Sequence, residues 1–415
     1  MRFVELSARG WRNLEPFSFE PGPGVNVVFG KNAQGKTNLL EAIYYVATLR
    51  SFRTARQSQL IAWDREGSSL AARAEVGGIS THLAVRLGKE GRDLLVDGGR
   101  VEDTEDYFGG FNVIVFTPEH LGLIKSEPMF RRQFMDRALF CLDRSHLGLV
   151  RRYNRILRER NACLRRYSES PSKAEKMLDA IDPQLSEVGA SIVIRRKRLV
   201  EELQGHFREI HSRISGGKKE VSISYKPRGL AFLSTGEEWQ VRSDKTSVFE
   251  ETKLAAQKEK SDVSLDGCGA LESQKRFLEE ALSIRRMDDL KRGHTGVGPH
   301  HDDLVVRLEG RSARLTASQG EVRTLVIALK LSEVELVRET RSEVPVLLLD
   351  DLGSELDENR RSELFDLVLG NGGQTFLTTV VPQAVPSDEN HQYLMIDSGK
   401  LGRMTKGSFP LPSDR

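Results

Sequence analysis

The chain has 415 residues, more than one ordinary core requires, and this length suggests about two or three domains. Its 62 basic and 60 acidic side chains nearly cancel, so the net charge of +2 gives no direct case for a nucleic-acid partner. The three cysteines, Cys141, Cys163 and Cys268, form no C-x-x-C pair, which argues against a disulfide framework or zinc site. We expect a cytoplasmic protein without a membrane partner, because no apolar run approaches a membrane span and no signal-peptide pattern opens the chain.

The first part of the chain alternates short strands and turns. Apolar and polar residues alternate at 3–6 and again at 17–19, which predicts a hairpin. A short apolar strand at 25–29 leads into a glycine loop, and apolar positions at helical spacing predict a helix over 37–49. Short strands with glycine-rich turns follow and end in an apolar strand at 113–116.

Long helical patterns replace the strands beyond Pro128. Residues 129–168 and 182–214 predict two long, arginine-rich helices with a break between them. Residues 216–265 are polar and charged, so little regular structure is expected there. The remaining predicted elements are a helix near 270–292 and strands at 221–225, 303–308, 344–350 and 375–379.

A phosphate-binding loop follows the strand at 25–29. Residues 30–37 match G-x-x-x-x-G-K-[ST], in which glycines let backbone N–H groups and the next helix N-terminus point at phosphates. Lys36 would reach the β- and γ-phosphate oxygens of ATP, and the Thr37 hydroxyl would bind Mg²⁺. The predicted nucleotide contacts in this loop are Gly30, Lys31, Asn32, Ala33, Gln34, Gly35, Lys36, Thr37 and Asn38. A chance glycine turn is the alternative, and the strand before and helix after the loop argue against it.

Two acids end the apolar strand at 344–350. We expect Asp350 to hold Mg²⁺, and Asp351 to orient or deprotonate the attacking water. Alone, acids in this position are also typical of a helix N-cap. The phosphate loop elsewhere in the chain favours the catalytic interpretation.

Residues 315–323 resemble the signature of ABC ATPases, centred on Ser318, Gln319, Gly320 and Glu321. In that family the signature faces the γ-phosphate bound by the partner subunit, which implies an ATP-dependent homodimer with Ser318 as a catalytic contact. Serine followed three residues later by glutamate is also a capping box, and this alternative stays open for the motif taken alone. Residues 353–357 resemble the D-loop of the same family.

These motifs, in this order, make the chain similar to the RecF family of bacterial DNA replication and repair proteins, which are ABC-type ATPases related to SMC proteins. The blocks that carry the resemblance are Trp11-Arg12-Asn13-Leu14, 35–41, 51–54, 115–121, 131–136 and 298–303. Ala33 stands where glycine is common, and His301 where arginine is expected. Asp351 replaces the glutamate of many ABC ATPases, so slow hydrolysis is expected.

The resemblance implies an α/β fold: an ABC-type P-loop ATPase head, with a mixed sheet and flanking helices, split by an inserted, mostly helical arm. We expect the first half of the head over 1–117, the arm over 118–292, and the second half over 293–415. It also implies a clamp that dimerises on ATP at double-stranded DNA beside single-strand gaps, in the nucleoid, and works with RecR and RecO to load RecA. The alternatives are the nucleotide-binding subunit of an ABC transporter and a Rad50- or SMC-like architectural ATPase.

Arginines are dense in the predicted arm. Eleven lie within residues 131–166, a pattern that suits the phosphates of duplex DNA. The predicted DNA contacts are Arg131, Arg132, Arg151, Arg152 and Arg155. A solvated or internally paired face is the alternative for such a run.

A group of possible metal ligands follows the arm, namely His294, His300, His301, Asp302 and Asp303. A turn before a strand explains this group better than zinc, because adjacent residues cannot easily share one tetrahedral ion. His300 is a candidate contact to nucleotide or to a switch loop.

Overall fold

The structure, a computed structural model, describes residues 1–404 except 55, 90, 109–110, 218, 228–230, 236–237, 243–266, 352–357, 371 and 387–389. The strands are β1 (Arg2–Arg9), β2 (Phe17–Phe19), β3 (Val25–Phe29), β4 (Ser68–Val76), β5 (Ile79–Gly88), β6 (Gly91–Val96), β7 (Gly99–Val101), β8 (Val113–Phe116), β9 (Val221–Lys226), β10 (Ala231–Thr235), β11 (Glu238–Arg242), β12 (Asp303–Leu308), β13 (Arg311–Ser312), β14 (Val346–Asp350), β15 (Thr375–Thr379), β16 (Gln392–Asp397) and β17 (Lys400–Met404). The helices are α1 (Lys36–Thr48), α2 (Thr104–Tyr107), α3 (Gly122–Lys125), α4 (Pro128–Leu142), α5 (Ser145–Arg166), α6 (Pro171–Ser215), α7 (Gly267–Arg292), α8 (Ala313–Thr316), α9 (Gln319–Arg341) and α10 (Glu358–Leu369). Short 3-10 turns lie at Gln57–Leu60, Pro118–Leu121 and Pro382–Ala384.

The chain divides into two compact units. The head unit comprises Met1–Leu121, His206–Glu220 and Ala317–Arg415, and the arm unit comprises Gly122–Gly205 and Val221–Thr316. Helix α6 begins in the arm unit and ends in the head unit without interruption. Within the part of the chain that the structure describes, no helix combines the length and apolarity needed to cross a bilayer.

A mainly parallel sheet forms the centre of the head unit, in the order β17-β16-β3-β15-β14-β8. Every residue of β3 and β14 is buried, as expected for strands covered on both faces. The parallel register sets Asp350 opposite Thr378, and Phe29 opposite Thr379. The carboxyl ends of β3, β15 and β14 therefore meet at one edge of the sheet.

A second, antiparallel sheet in the head unit has the order β2-β1-β4-β5-β6-β7. Alternate residues of β4 are buried, including Leu70, Ala72 and Ala74, which is the pattern of a sheet with one face on the core. Helix α1 packs against strands of both sheets and is buried over most of its length. The phosphate-loop helix is thus fixed between two layers.

Helices build the core of the arm unit. Apolar side chains of α5, α6 and α7 form one cluster that includes Ile156, Ile192 and Leu282. A second cluster includes Leu164, Leu178 and Leu290 from the same helices. The amphipathic spacing of the three helices is what lets one face of each enter these clusters.

Arg160 of α5 is a charged member of this interior. Its guanidinium has no solvent exposure, and it donates to Asp182 Oδ1 and Asp289 Oδ2, each at 2.7 Å. It also donates to Thr295 Oγ1 at 3.0 Å. The two carboxylates compensate the charge of the buried cation and join α5 to α6 and α7, and Asp182 also pairs with Arg286 at 2.9 Å.

The helices of the arm differ from the sequence prediction. The predicted helix at 129–168 is two helices, because the Asp143 carboxylate accepts hydrogen bonds from the backbone N–H and hydroxyl of Ser145 and starts α5 anew. The helix predicted from 182 begins at Pro171 and passes through Pro183. The strand at 221–225 is confirmed as β9, whereas the hairpin of β10 and β11 was not predicted.

The boundaries of the units also differ from the expected ones. The arm unit extends to Thr316 rather than 292. Strand β12 belongs to the arm unit because it pairs antiparallel with β9. Residues 206–220, expected within the arm, belong to the head unit. The first boundary, expected after 117, follows Leu121.

We predict that Arg160→Met lowers the free energy of unfolding by roughly 3–5 kcal/mol, because the buried Asp289 would lose its ion pair while Asp182 would keep the one with Arg286. Urea denaturation followed by circular dichroism measures the change. Arg158→Met, an exposed change on the same helix, is the matched control and should cost less than about 0.5 kcal/mol. Equal effects of the two substitutions would contradict the structural role given to Arg160.

Candidate nucleotide-binding site

The loop at 30–35 joins β3 to α1 and requires glycine at both ends. Gly30 has φ 154°, and a Cβ there would lie 2.2 Å from the carbonyl oxygen of Ile396. Gly35 has φ 116°, and a Cβ there would lie 2.7 Å from Leu14 Cδ2. The backbone contact excludes a side chain at Gly30, and the positive φ disfavours one at Gly35, so the two glycines fix the shape of the loop.

Ala33 occupies the loop position at which glycine is common in the family. Its φ of 65° lies in the left-handed region, which costs a non-glycine residue about 1–2 kcal/mol. The alanine therefore adopts a backbone conformation that glycine favours, and the loop keeps its turn despite the added Cβ.

Lys36 lies across the loop. Its ammonium group donates to the carbonyl oxygens of Gly30 at 2.8 Å and Lys31 at 2.9 Å. Burial lowers the pKa of Lys36, while the nearby carboxylates of Asp351 and Asp350 act in the opposite direction. Two of its three N–H bonds are used in this way, and the third can donate to a ligand anion.

Asp350 ends β14 and forms the polar centre of the site. Its Oδ1 accepts hydrogen bonds from Thr37 Oγ1 at 3.0 Å and from Thr378 Oγ1 at 2.8 Å. Burial raises the pKa of Asp350, and the two hydroxyl bonds oppose the rise. The carboxylate is thus held toward the first residues of α1.

Asp351 follows in a left-handed conformation with φ 51°. Its backbone N–H donates to Thr378 Oγ1 at 2.9 Å, so one threonine contacts both acids. Thr378 was not among the site residues predicted from the sequence. The signal was present, because Thr378 and Thr379 end a buried parallel strand at the edge where the phosphate loop begins.

The oxygens of Thr37 and Asp350 suit a hard cation such as Mg²⁺. Among the residues that the structure describes, no group of three or more His, Cys, Asp or Glu side chains could hold a metal by itself. A magnesium ion at this place would therefore take its remaining ligands from a bound phosphate and water.

Two cavities lie at this edge of the head unit. The first has a volume of about 340 Å³ and is lined by Asn32, Ala33, Gly35, Lys36, Thr37, Asn38, Arg53, Asp350, Asp351 and Thr378. The second has a volume of about 430 Å³ and is lined by Arg12, Asn13, Asn38, Arg53, Gln59, Ile61, Ala62, Trp63 and Asp64. The cavities share Asn38 and Arg53, whose side chains hydrogen-bond to each other at 2.8 Å.

The cavities contain most, but not all, of the predicted loop contacts. Gly30, Lys31 and Gln34 are not among the described residues that line them. The backbone carbonyls of Gly30 and Lys31 hold Lys36, and the Gln34 side chain accepts from the backbone N–H of Ser398. These three residues shape the loop from outside the cavities.

The signature segment begins α9. Ser318 is the N-cap, its Oγ accepting from the backbone N–H of Glu321 at 3.4 Å while Glu321 Oε2 accepts from the Ser318 N–H at 2.7 Å. The capping box is therefore present. Ser318 and Gln319 are exposed, and Gly320 is half-buried. Ser318 is not among the described residues that line the first cavity. The D-loop predicted at 353–357 lies outside the described residues.

The predicted DNA contacts separate into two groups. Arg131 is buried and donates to both carboxylate oxygens of Asp303, at 2.7 and 3.1 Å, so its predicted contact with DNA does not fit this position. Arg132 is half-buried and donates to the Asp302 carbonyl oxygen. The other three predicted contacts, Arg151, Arg152 and Arg155, are exposed on α5.

The histidines after the arm helices are engaged within the arm unit. His300 Nδ1 lies 2.7 Å from the Tyr153 hydroxyl, and Nε2 of both His300 and His301 lies near the Thr295 carbonyl oxygen, at 3.2 and 3.0 Å. Burial lowers the pKa of His300 to about 3, so its imidazole is neutral at ordinary pH.

The sequence is similar to a known family and to its members. Residues 3–398 match the family described as RecF/RecN/SMC N terminal domain. The chain is 36% identical to the DNA replication and repair protein RecF of Myxococcus xanthus, over 91% of this chain and 90% of that protein. It is 34% identical to the protein of that name from Geobacter sulfurreducens, over 91% and 93% of the two chains.

The fold is also similar to those of solved structures. The fold matches a structure of the recombination mediator protein RecF-ATPrS in the RecFOR pathway, with a TM-score of 0.80, 29% identity and coverage of 97% and 98% of the two chains. It also matches an SmcHead structure with a TM-score of 0.52, 13% identity and 98% coverage of both chains, a likeness of fold alone.

The fold and the site define a P-loop protein with the ABC-type ATPase head that SMC proteins share. Within that class, the chain belongs to the RecF family.

Proposed function

We propose that the chain is a weak ATPase that acts as an ATP-dependent DNA-binding clamp in DNA replication and recombinational repair. The observation that carries the proposal is the pair of half-sites in the head unit. Lys36, Thr37 and Asp350 line one cavity, while Ser318 stands exposed on a different element. Among the residues that the structure describes, Ser318 does not line that cavity.

The first cavity suits the phosphates of ATP. Backbone N–H groups at the start of α1 and the Lys36 ammonium supply positive charge. The second cavity suits the nucleoside, because Trp63 on its wall is fully exposed and can stack on a base. Arg53, shared by the two cavities, would then lie beside the sugar and the inner phosphates.

The two acids at the end of β14, Asp350 and Asp351, would support hydrolysis of ATP. When bound at Thr37 and Asp350, Mg²⁺ would neutralise charge on the terminal phosphates. Asp351, the next residue, would orient or deprotonate the attacking water. Aspartate reaches less far than the glutamate common in ABC ATPases, so turnover should be slow and nucleotide should act as a switch.

The exposed signature implies that a second copy of the chain completes the site. Ser318 accepts a hydrogen bond through its Oγ, and its hydroxyl hydrogen can still donate to a γ-phosphate. The N-terminal N–H groups of α9 would add positive charge at the same place. The γ-phosphate then joins two subunits, and its loss separates them.

DNA is the proposed partner of the closed dimer. Arg151, Arg152 and Arg155 present positive charge on an exposed helix face, and contacts to phosphates would bind duplex without strong sequence preference. Of these, Arg155 has a loose contact of 3.9 Å with Glu159. The relatives named RecF are replication and repair proteins, and the matched structure names the RecFOR pathway. RecR, RecO and RecA are accordingly the protein partners we propose, at gapped DNA in the nucleoid.

Ser318→Arg should leave ATP binding by the monomer within about twofold of wild type and abolish ATP-driven dimerisation, because the arginine would occupy the space of the partner's phosphate. Equilibrium nucleotide titration and sedimentation with and without ATP measure the two quantities. Ser342→Arg, at the other end of α9 and also exposed, is the matched control. Normal dimerisation of the Ser318 variant would defeat the proposal of a composite site.

Replacing Arg151, Arg152 and Arg155 together with alanine should weaken binding to gapped duplex and flatten its salt dependence. If each of these side chains neutralises one phosphate, the dimer loses six such contacts and the slope of log K against log salt should fall by about 5.4. Gel shifts across a salt series in the presence of ATP measure it. The exposed Arg86→Ala change on β5 is the control, and an unaltered slope in the triple variant would exclude this helix face.

A further inference from the structure

Glu321 places a carboxylate at a proposed phosphate contact. It lies in the first turn of α9, and its side chain bonds to the N–H of the N-cap Ser318. A helix N-terminus attracts anions through its unpaired N–H groups and dipole. A carboxylate at the same end repels a phosphate, so Glu321 opposes the contact that its helix favours.

Lys219 offsets this charge. Its ammonium forms an ion pair with Glu321 Oε1, the carboxylate oxygen other than the one that caps Ser318. The side chains of Lys219 and Glu321 are 47% and 24% exposed, so water screens the pair only in part. Lys219, followed by Ser318, lowers the pKa of Glu321 to about 2, and the glutamate is therefore ionised at neutral pH.

The backbone explains why Lys219 reaches α9. Helix α6 ends at Ser215, and Gly216 and Gly217 adopt left-handed conformations with φ 70° and 72°. The N–H of Gly217 donates to the Ser212 carbonyl oxygen at 2.8 Å, which closes the helix end and turns the chain. Only glycine adopts such a pair of conformations readily.

A second contact fixes the same segment farther along α9. His206 Nε2 lies 3.1 Å from Glu339 Oε2, near the C-terminal end of that helix. Segment 206–220 thus meets α9 near both of its ends, within the head unit. These contacts hold Lys219 beside the signature.

We propose that Lys219 is a positioning residue for the signature: it neutralises Glu321 so that the N-terminus of α9 can accept the terminal phosphate of ATP bound by a partner subunit. The inference rests on the proposed composite site. It adds a residue from the turn after α6, far in sequence from the motifs, to the machinery of ATP-driven closure.

A double-mutant cycle tests it. Lys219→Met should weaken ATP-dependent dimerisation roughly tenfold, because the Glu321 charge would face the phosphate unopposed. Glu321→Gln keeps the capping geometry but removes that charge. In the Glu321→Gln protein, the additional Lys219→Met change should therefore have no effect on dimerisation. Sedimentation of full-length protein across ATP concentrations measures all four states.

Three controls limit the interpretation. Lys219→Arg retains the positive charge and should dimerise as wild type. Lys176→Met makes the same chemical change at an exposed position of α6 and should be silent. ATP affinity of the monomer should be unchanged in every variant, because the phosphate loop is not altered.

The inference would be overturned if Lys219→Met weakened dimerisation equally in the wild-type protein and in the Glu321→Gln protein. Lys219 would then act independently of the Glu321 charge. No loss in either background would overturn it as well. The Ser318→Arg variant separates this failure from a wider one. If that variant fails to dimerise while Lys219→Met dimerises normally, the composite site stands and only the role of Lys219 is lost.

Discussion

The hydrogen bonds at Asp350 hold the candidate site together. Parallel pairing of β14 with β15 sets Asp350 beside Thr378, and packing of α1 against the same sheet brings Thr37 to the other side of the carboxylate. The two hydroxyl bonds offset part of the cost of burying an ionisable group. The rest of the site depends on this alignment, because Lys36 and Asp351 take their positions from the same loop and strand.

Charge is used in two different ways along the arm. Arg131 and Arg160 are buried against carboxylates and hold secondary structure elements together. The exposed arginines of α5 leave positive charge on the surface, where phosphates can reach it. Helix α6 is continuous from the arm unit into the head unit and ends four residues before Lys219. The chain itself therefore links the proposed DNA-binding helices to the segment that meets the signature.

Local sequence patterns predicted the elements of the head unit well. Features that depend on pairing between distant residues were not predicted. The buried runs of β3 and β14 and the glycine loop are local, so the sequence located them to within a residue or two. Partner choice is not local. A run of arginines cannot reveal that Arg131 has Asp303 as its partner, and a polar stretch cannot reveal that β9 pairs with β12. The arm boundary and the role of Thr378 were missed for this reason.

One experiment tests the central claim that nucleotide joins two copies of the chain: mixing Lys36→Ala protein with Ser318→Arg protein and measuring mass and bound ATP by sedimentation. Each variant alone should remain monomeric with ATP, since the first lacks a working loop and the second a working signature. The mixture should form a dimer with one ATP, because the intact loop of the Ser318 variant meets the intact signature of the Lys36 variant. Absence of that mixed dimer, under conditions in which the wild type dimerises, would contradict the account.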